Sequence, residues 1–161
     1  MTELCLPTQV QRTAEQLGVG QTDPKVLRIP DGLEVVGDGW FAESDIEKLI
    51  VSNTVRELGT SAFFKCATLH EVVFEPDSQL ETIVAGCFSS CGIEQVTIPK
   101  SVRDIGSYAF WACRSFRSLV FEDGSLLKHV GEDALAVTPL YNKNWLFPST
   151  AQVDDDMGMY Q

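Results

Sequence analysis

Positive charge is scarce in this sequence. Twelve lysines and arginines stand against 23 aspartates and glutamates, a formal net charge of −11. Nucleic acid and anionic membranes, which need basic stripes, are therefore not expected as partners. Long apolar runs are also missing, and nothing approaches the ~20 residues of a membrane span, so no membrane insertion is expected. The first residues, MTELCLPTQVQR, carry an acidic Glu3 and no apolar core of a secretory signal. A cytoplasmic location is the expectation, with an extracellular or cell-surface one as the alternative for a chain trimmed from a longer protein. Five cysteines, an odd number at wide spacing, do not make a disulfide framework and suit a reduced compartment.

Catalytic groups are as thin. The two histidines, His70 and His129, read as surface residues, and no nucleophile, metalloprotease, Walker or dinucleotide motif stands in its required context. "GVG" at 18–20 has no strand before it, and "VDDDMG" at 153–158 lacks the spacing and final Glu of a calcium loop. No enzymatic activity, catalytic residue, cofactor or metal site is expected.

What the sequence has is repetition. "GTSAFFKC" (59–66) and "GSYAFWAC" (106–113) share Gly, Ala, Phe and Cys in register. Anchoring each unit on an apolar residue gives Ile29, Val51, Phe74, Ile98 and Phe121, spaced by 22, 23, 24 and 23 residues. A first apolar slot follows in each unit: Leu33, Val55, Leu80, Val102, Leu127. Three residues on comes a second: Val36, Leu58, Ile83, Ile105, Val130. Gly37, Gly59, Gly106 and Gly131 come next, with Val84 in the third unit. An aromatic or Leu slot holds Phe41, Phe63, Phe88, Phe110 and Leu135. Each of the first four units ends in a strand-like segment, such as "LHEVVF" (69–74), with period-2 apolar positions. A 20–29-residue unit of this pattern is the leucine-rich-repeat signature. One such coil cannot bury its apolar side alone, and stacking builds a continuous core. The expected fold is a mostly β solenoid of short parallel strands in ~23-residue coils with a short N-terminal capping helix.

"IPKSVRDIGSYAFWACRSFRSLVF" (98–121) resembles the unit of the BspA-like, Treponema-type leucine-rich repeats at nearly every fixed position. "VSNTVRELGTSAFFKCATLHEVVF" (51–74) departs only in lacking the Pro. The resemblance covers residues 29–135 in five units. It implies a solenoid used as a protein-interaction scaffold, with bacterial members often acting as surface adhesins.

Three segments follow. Residues 1–28 form an N-terminal cap, with a helix over about 8–17 (Thr8 and Gln11 as a capping box) and a degenerate strand at 24–29. Residues 29–137 are the five repeats. Residues 138–161 are a C-terminal cap, "TPLYNKNWLFP", and an acidic flexible tail. Trp40 takes the place of the small residues Ala62, Cys87, Ala109 and Ala134, as fits a coil near the end of a stack.

Cys66, Cys91 and Cys113 share one slot, with Ser44 in the first unit, and invite a metal reading. Repeat columns run in a line, one rung per residue, and a line does not converge on a tetrahedral ion. They read as packed free thiols, as does Cys87 in the Ala slot, and a Cys66–Cys91 disulfide is conceivable in an exported protein. Glu34, Arg56, Glu81, Arg103 and Lys128 form a charge column expected to pin coil register.

The partner is expected to be another protein, with the chain a monomer or a subunit of a hetero-complex. Between the buried strand positions, two outward columns arise. One is Val26, Lys48, Glu71, Gln95 and Ser118. The other is Arg28, Ile50, Val73, Thr97 and Val120. Ile50, Val73 and Val120 are the expected centre of the binding face, with Lys48, Glu71 and Gln95 as rim. Phe64 and Trp111 follow the buried Phe slot and read as either outer packing or interface anchors, and Trp111 joins the candidate binding residues. A permanent structural subunit is a further reading.

Overall fold

The computed structural model describes residues 25–141, 143 and 146–154. The expected helix at 8–17 lies outside them. Each coil contributes two short strands and a turn segment, so its outline has three sides. The longer strands, β1 (Val26–Ile29), β3 (Lys48–Val51), β5 (Glu71–Phe74), β7 (Gln95–Ile98) and β9 (Ser118–Phe121), stack in sequence order as a five-stranded parallel sheet. The two-residue strands β2 (Val35–Val36), β4 (Glu57–Leu58), β6 (Thr82–Ile83), β8 (Asp104–Ile105), β10 (His129–Val130) and β11 (Gln152–Val153) make a second parallel sheet of six. This is the solenoid that the period implies.

The apolar slots point inward. Val55, Leu80, Val102 and Leu127, then Val36, Leu58, Ile83, Ile105 and Val130, are fully buried or nearly so. Phe41, Phe63, Phe88 and Phe110 stack with centroids 5.4–5.6 Å apart and ring planes within 7–11°. Phe116 closes this column at 5.0 Å from Phe110, tilted by 41°. Such buried aromatic contacts add about 0.5–1.5 kcal/mol per pair beyond the area they bury.

The third side is a run of left-handed turns. Gly39, Ser61, Gly86, Tyr108 and Asp133 have positive φ two residues before the Phe slot. Glu43, Lys65, Ser90, Ala112 and Val137 have it two residues after. The reason lies in the hydrogen bonds. Alternate amides, such as those of Ser61, Phe63 and Lys65, donate forward to Ala85, Cys87 and Ser89 in the next coil. The amides between them, Ala62, Phe64 and Cys66, donate back three residues within their own coil. Alternating the handedness of the backbone points successive amides in these two directions. A β-branched residue is costly in the left-handed region. Val137, at φ 59°, bears that cost while 44% exposed, so its side chain returns little in packing. Val137→Asn is expected to stabilise the fold by about 1 kcal/mol and to raise Tm by roughly 2–4 °C in calorimetry.

The C-terminal expectation needs correction. The polar stretch read as a flexible tail contains β11, whose Gln152 and Val153 pair with His129 and Val130. The Lys128 carbonyl accepts from the Gln152 amide at 2.7 Å, and His129 Nε2 lies 3.0 Å from both carboxylate oxygens of Asp154. Phe147 and Leu140 are buried, and Phe147 meets Phe121 at 5.9 Å. Phe147–Pro148 repeats the Ile29–Pro30 and Ile98–Pro99 steps. The segment is thus a shortened sixth coil, and it covers the fifth. His129, expected on the surface, is half-buried and tied to this coil.

Trp40 lies against the core, and a Cβ on Gly37 would overlap its indole. In later coils the corresponding space beside the glycine holds backbone. A Cβ at Gly106 would come within 2.5 Å of the Ala85 nitrogen, and one at Gly59 within 2.7 Å of the Val36 oxygen.

Candidate functional site

The expected register of the long strands is present along the first column, in the order Val26, Lys48, Glu71, Gln95, Ser118. The second column is interrupted. Arg28 pairs with Ile50, Ile50 with Val73, and Thr97 with Val120, but β5 and β7 pair in register only at Glu71 and Gln95. The same rung also lacks a closing bond at its end. The amides of Glu75 and Glu122 donate to the Val51 and Ile98 carbonyls, at 3.0 and 3.1 Å, and close the ends of their rungs. Pro99 occupies the same position above Phe74 and has no N–H to give. At the other end of the seam the Glu94 amide reaches the His70 carbonyl at 3.4 Å, against 2.9 Å for Arg117 to Glu94.

The strands part at this seam and leave a cleft of about 320 Å³. Glu71, Val73, Gln95, Thr97, Ser118 and Val120 line it, with Val72, Phe74, Val96 and Glu122. Six of the nine expected binding residues are therefore gathered there. Lys48 is held beside it by a 3.1 Å ion pair to Glu71. Ile50 is not at its centre. Arg28 Nη2 reaches across Ile50's strand to Glu75 Oε1 at 2.6 Å, with Asp31 at 3.2 Å, and Ile50 is only partly exposed. Glu75 first, and then Asp31, hold the Arg28 guanidinium above its already high ordinary pKa, so it stays charged. The open apolar surface is thus confined to the later rungs, where Val120 is 50% exposed. Arg28, Glu75, Phe74 and Glu122 were not among the expected site residues. Arg28 was visible in its column, but its pairing two rungs away is not a register neighbour. Glu122 fixes the rim by accepting the Lys100 amide at 2.8 Å.

Trp111 stands apart on the turn side. It is 39% exposed and shares a second cleft, of about 290 Å³, with Asp133, Ala136, Val137 and Tyr141. Phe64 is half-buried there, with Lys65 Nζ 5.2 Å above its ring.

The cysteine slot is structural chemistry. Cys66, Cys91 and Cys113 each donate a thiol hydrogen to the Phe41, Phe63 and Phe88 carbonyls of the preceding coil, at 3.2, 3.0 and 2.9 Å. Ser44 Oγ lies 3.2 Å from Cys66 Sγ and completes the column. The slot therefore wants a small donor, which Ser and Cys both supply. Among the described residues no group of three metal-ligating side chains gathers. Burial pushes the Cys113 thiol up to about 12, and Cys87 and Cys91 also well above the ordinary value of 9, whereas hydrogen bonding with Cys91 holds the Cys66 thiol below it. A thiol whose folded pKa is raised favours the folded state below pH 9. That contribution fades as pH climbs from 9 toward 12, because the unfolded chain releases the proton first. In a Cys5→Ala background, a thiol reagent at pH 8 is expected to label none of the four buried cysteines until denaturant is added, and thermal stability should fall above pH 9.

In the expected charge column, Arg56 and Glu81 form a 3.2 Å ion pair. Both are about half exposed, so the pair contributes ~0.2–1 kcal/mol at most.

No curated protein sequence matches the chain at a significant level. Among solved structures, the pneumococcal vaccine antigen PcpA is similar with a TM-score of 0.61 and 15% identity, over 74% of this chain and 39% of that one. A leucine-rich repeat protein from Bacteroides capillosus is similar with a TM-score of 0.54 and 24% identity, over 61% and 77%. The leucine-rich repeat protein of T. pallidum follows at 0.52 and 22%, over 66% and 57%. The chain spans about two fifths of the pneumococcal structure. These likenesses concern the fold. A family profile reaches further: that of the BspA type leucine rich repeat region matches residues 2–153 in six copies, one more than the five units counted by anchor spacing. The chain belongs to the BspA type leucine-rich-repeat family.

Proposed function

We propose that this protein is a non-enzymatic binding module that takes a segment of another protein on the long-strand face, between β5 and β9. The parted seam carries this reading. Val73, Thr97 and Val120 surround a cleft where Pro99 leaves the Phe74 carbonyl without the rung-closing amide, so apolar surface and an open backbone acceptor lie together. Lys48, Glu71, Gln95 and Glu122 give a polar rim of the kind that borders protein interfaces. Val73→Lys and Val120→Lys, alone and together, are expected to abolish capture of a partner retained by the wild-type chain, with Tm unchanged within about 2 °C. Equal capture by the double variant would sink the proposal.

A second reading places this module at a cell surface. The similar pneumococcal structure is described as a vaccine antigen, and no helix among the described residues is long and apolar enough to cross a membrane. The similar structures give the cytoplasmic expectation no support. Surface biotinylation of intact cells distinguishes the two locations.

A further inference from the structure

The turn-side cleft carries chemistry that the strand face does not. Trp111 and Tyr141 supply two large aromatic rings, and Asp133 lines the same cleft of about 290 Å³. One carboxylate oxygen of Asp133, Oδ1, is out of water and has no hydrogen-bond partner among the described residues. The ion pairs of the described residues leave Asp133 out. Among the described residues this oxygen finds neither a donor nor a counter-charge, and leaving it so is costly, while the Asp133 side chain also lines the cleft. Its position is fixed by the fold: Asp133 sits at φ 53°, in the left-handed column, and its carbonyl accepts the Ala136 amide at 3.1 Å. Trp111 is equally anchored, its amide donating to Tyr108 at 3.0 Å and its carbonyl accepting from Ser90 at 2.7 Å. Val137, which also lines the cleft, is 44% exposed and adds apolar surface.

Aromatic faces attract cations, and a carboxylate short of donors selects a cation that carries N–H groups. A neutral apolar guest would leave the carboxylate unpaired, and an anion would meet a chain of net charge −11. We infer that the Trp111–Asp133–Tyr141 cleft receives a cationic side chain, lysine or arginine, from a protein partner. The alkyl stem lies along the rings and the charged head meets Asp133. This site is on a different side of the coil from the strand-face cleft and does not depend on it.

The test is titration of the intact chain with Nα-acetyl-lysine methylamide, followed through the indole N–H resonance of Trp111, which Trp111→Phe identifies. A saturable shift with Kd of roughly millimolar order is expected for a single side chain. Asp133→Asn removes the charge while keeping a residue type that tolerates positive φ, so it should fold normally and weaken binding by about tenfold or more. Val73→Lys and Val120→Lys should leave the titration unchanged. The norleucine analogue and Nε-acetyl-lysine should bind at least about tenfold more weakly. Tetramethylammonium, which has no N–H, should also bind more weakly than the lysine compound. Equal binding of the neutral analogues, of tetramethylammonium, or by Asp133→Asn would overturn the inference. So would the absence of any shift at about 100 mM ligand, well above a millimolar Kd.

Discussion

Phe88→Ala is expected to destabilise the protein by about 3–5 kcal/mol and to lower Tm by roughly 10 °C or more. Phe88, like Phe63, has parallel rings on both sides and coils above and below. Phe63 lies at 5.4 Å and Phe110 at 5.6 Å. It is 1% exposed. Its backbone is held as firmly, since its amide donates to Ala109 at 2.8 Å and its carbonyl accepts the Cys113 thiol at 2.9 Å. The coil cannot relax into the vacated space without breaking these bonds, so most of the cavity should persist, which is the expensive case. Phe88→Leu, which keeps much of the volume, should cost under half as much. Chemical denaturation of the three proteins checks this. Equal losses for Ala and Leu would mean that ring geometry, not volume, holds the column together.

Gly106→Ala is the second large effect, about 1–3 kcal/mol from a single methyl group. The added carbon would sit 2.5 Å from the Ala85 nitrogen and 2.8 Å from the Val84 carbonyl carbon. Both are backbone atoms, so no side-chain rotation relieves the overlap. Withdrawal is blocked too, because the Gly106 amide donates to Ile83 at 2.7 Å. Gly124→Ala is the control. That glycine has φ +79° and open space around it, so only the conformational cost of about 1 kcal/mol applies. The two variants separate glycine kept for close approach from glycine kept for backbone handedness. A smaller loss for Gly106→Ala than for Gly124→Ala would refute the close-approach account.

Much of this structure was legible in the residues. The apolar slots, the phenylalanine column and the pairing Val26–Lys48–Glu71–Gln95–Ser118 follow from a period that every unit shares, because stacked coils must place like residues on like. The sixth coil was harder. The sequence leading into it, "YNKNWLF", has no clean alternation, and only the Phe147–Pro148 step and Val153 mark it. The parted seam was hidden for another reason. Pro99 matches the repeat template and reads as conformity, yet its consequence falls on the Phe74 carbonyl one coil earlier. The ion pair of Arg28 with Glu75 skips a rung and cannot be found by comparing neighbours. The left-handed turns gave only half a composition signal: Gly39, Ser61, Gly86, Ser90 and Asp133 are turn residues by type, but Glu43, Lys65, Tyr108, Ala112 and Val137 are not. There the hydrogen bonds between coils override local preference.

Site-specific photo-crosslinking tests the binding face most directly. A photoreactive residue placed at Thr97, at Val120 or at Val35 in the second sheet, each exposed, reports which side meets the partner. Crosslinks to one partner protein from positions 97 and 120, with none from 35, are the expected result. Crosslinks from 35 alone, with silence at 97 and 120, would contradict a binding face on the long strands.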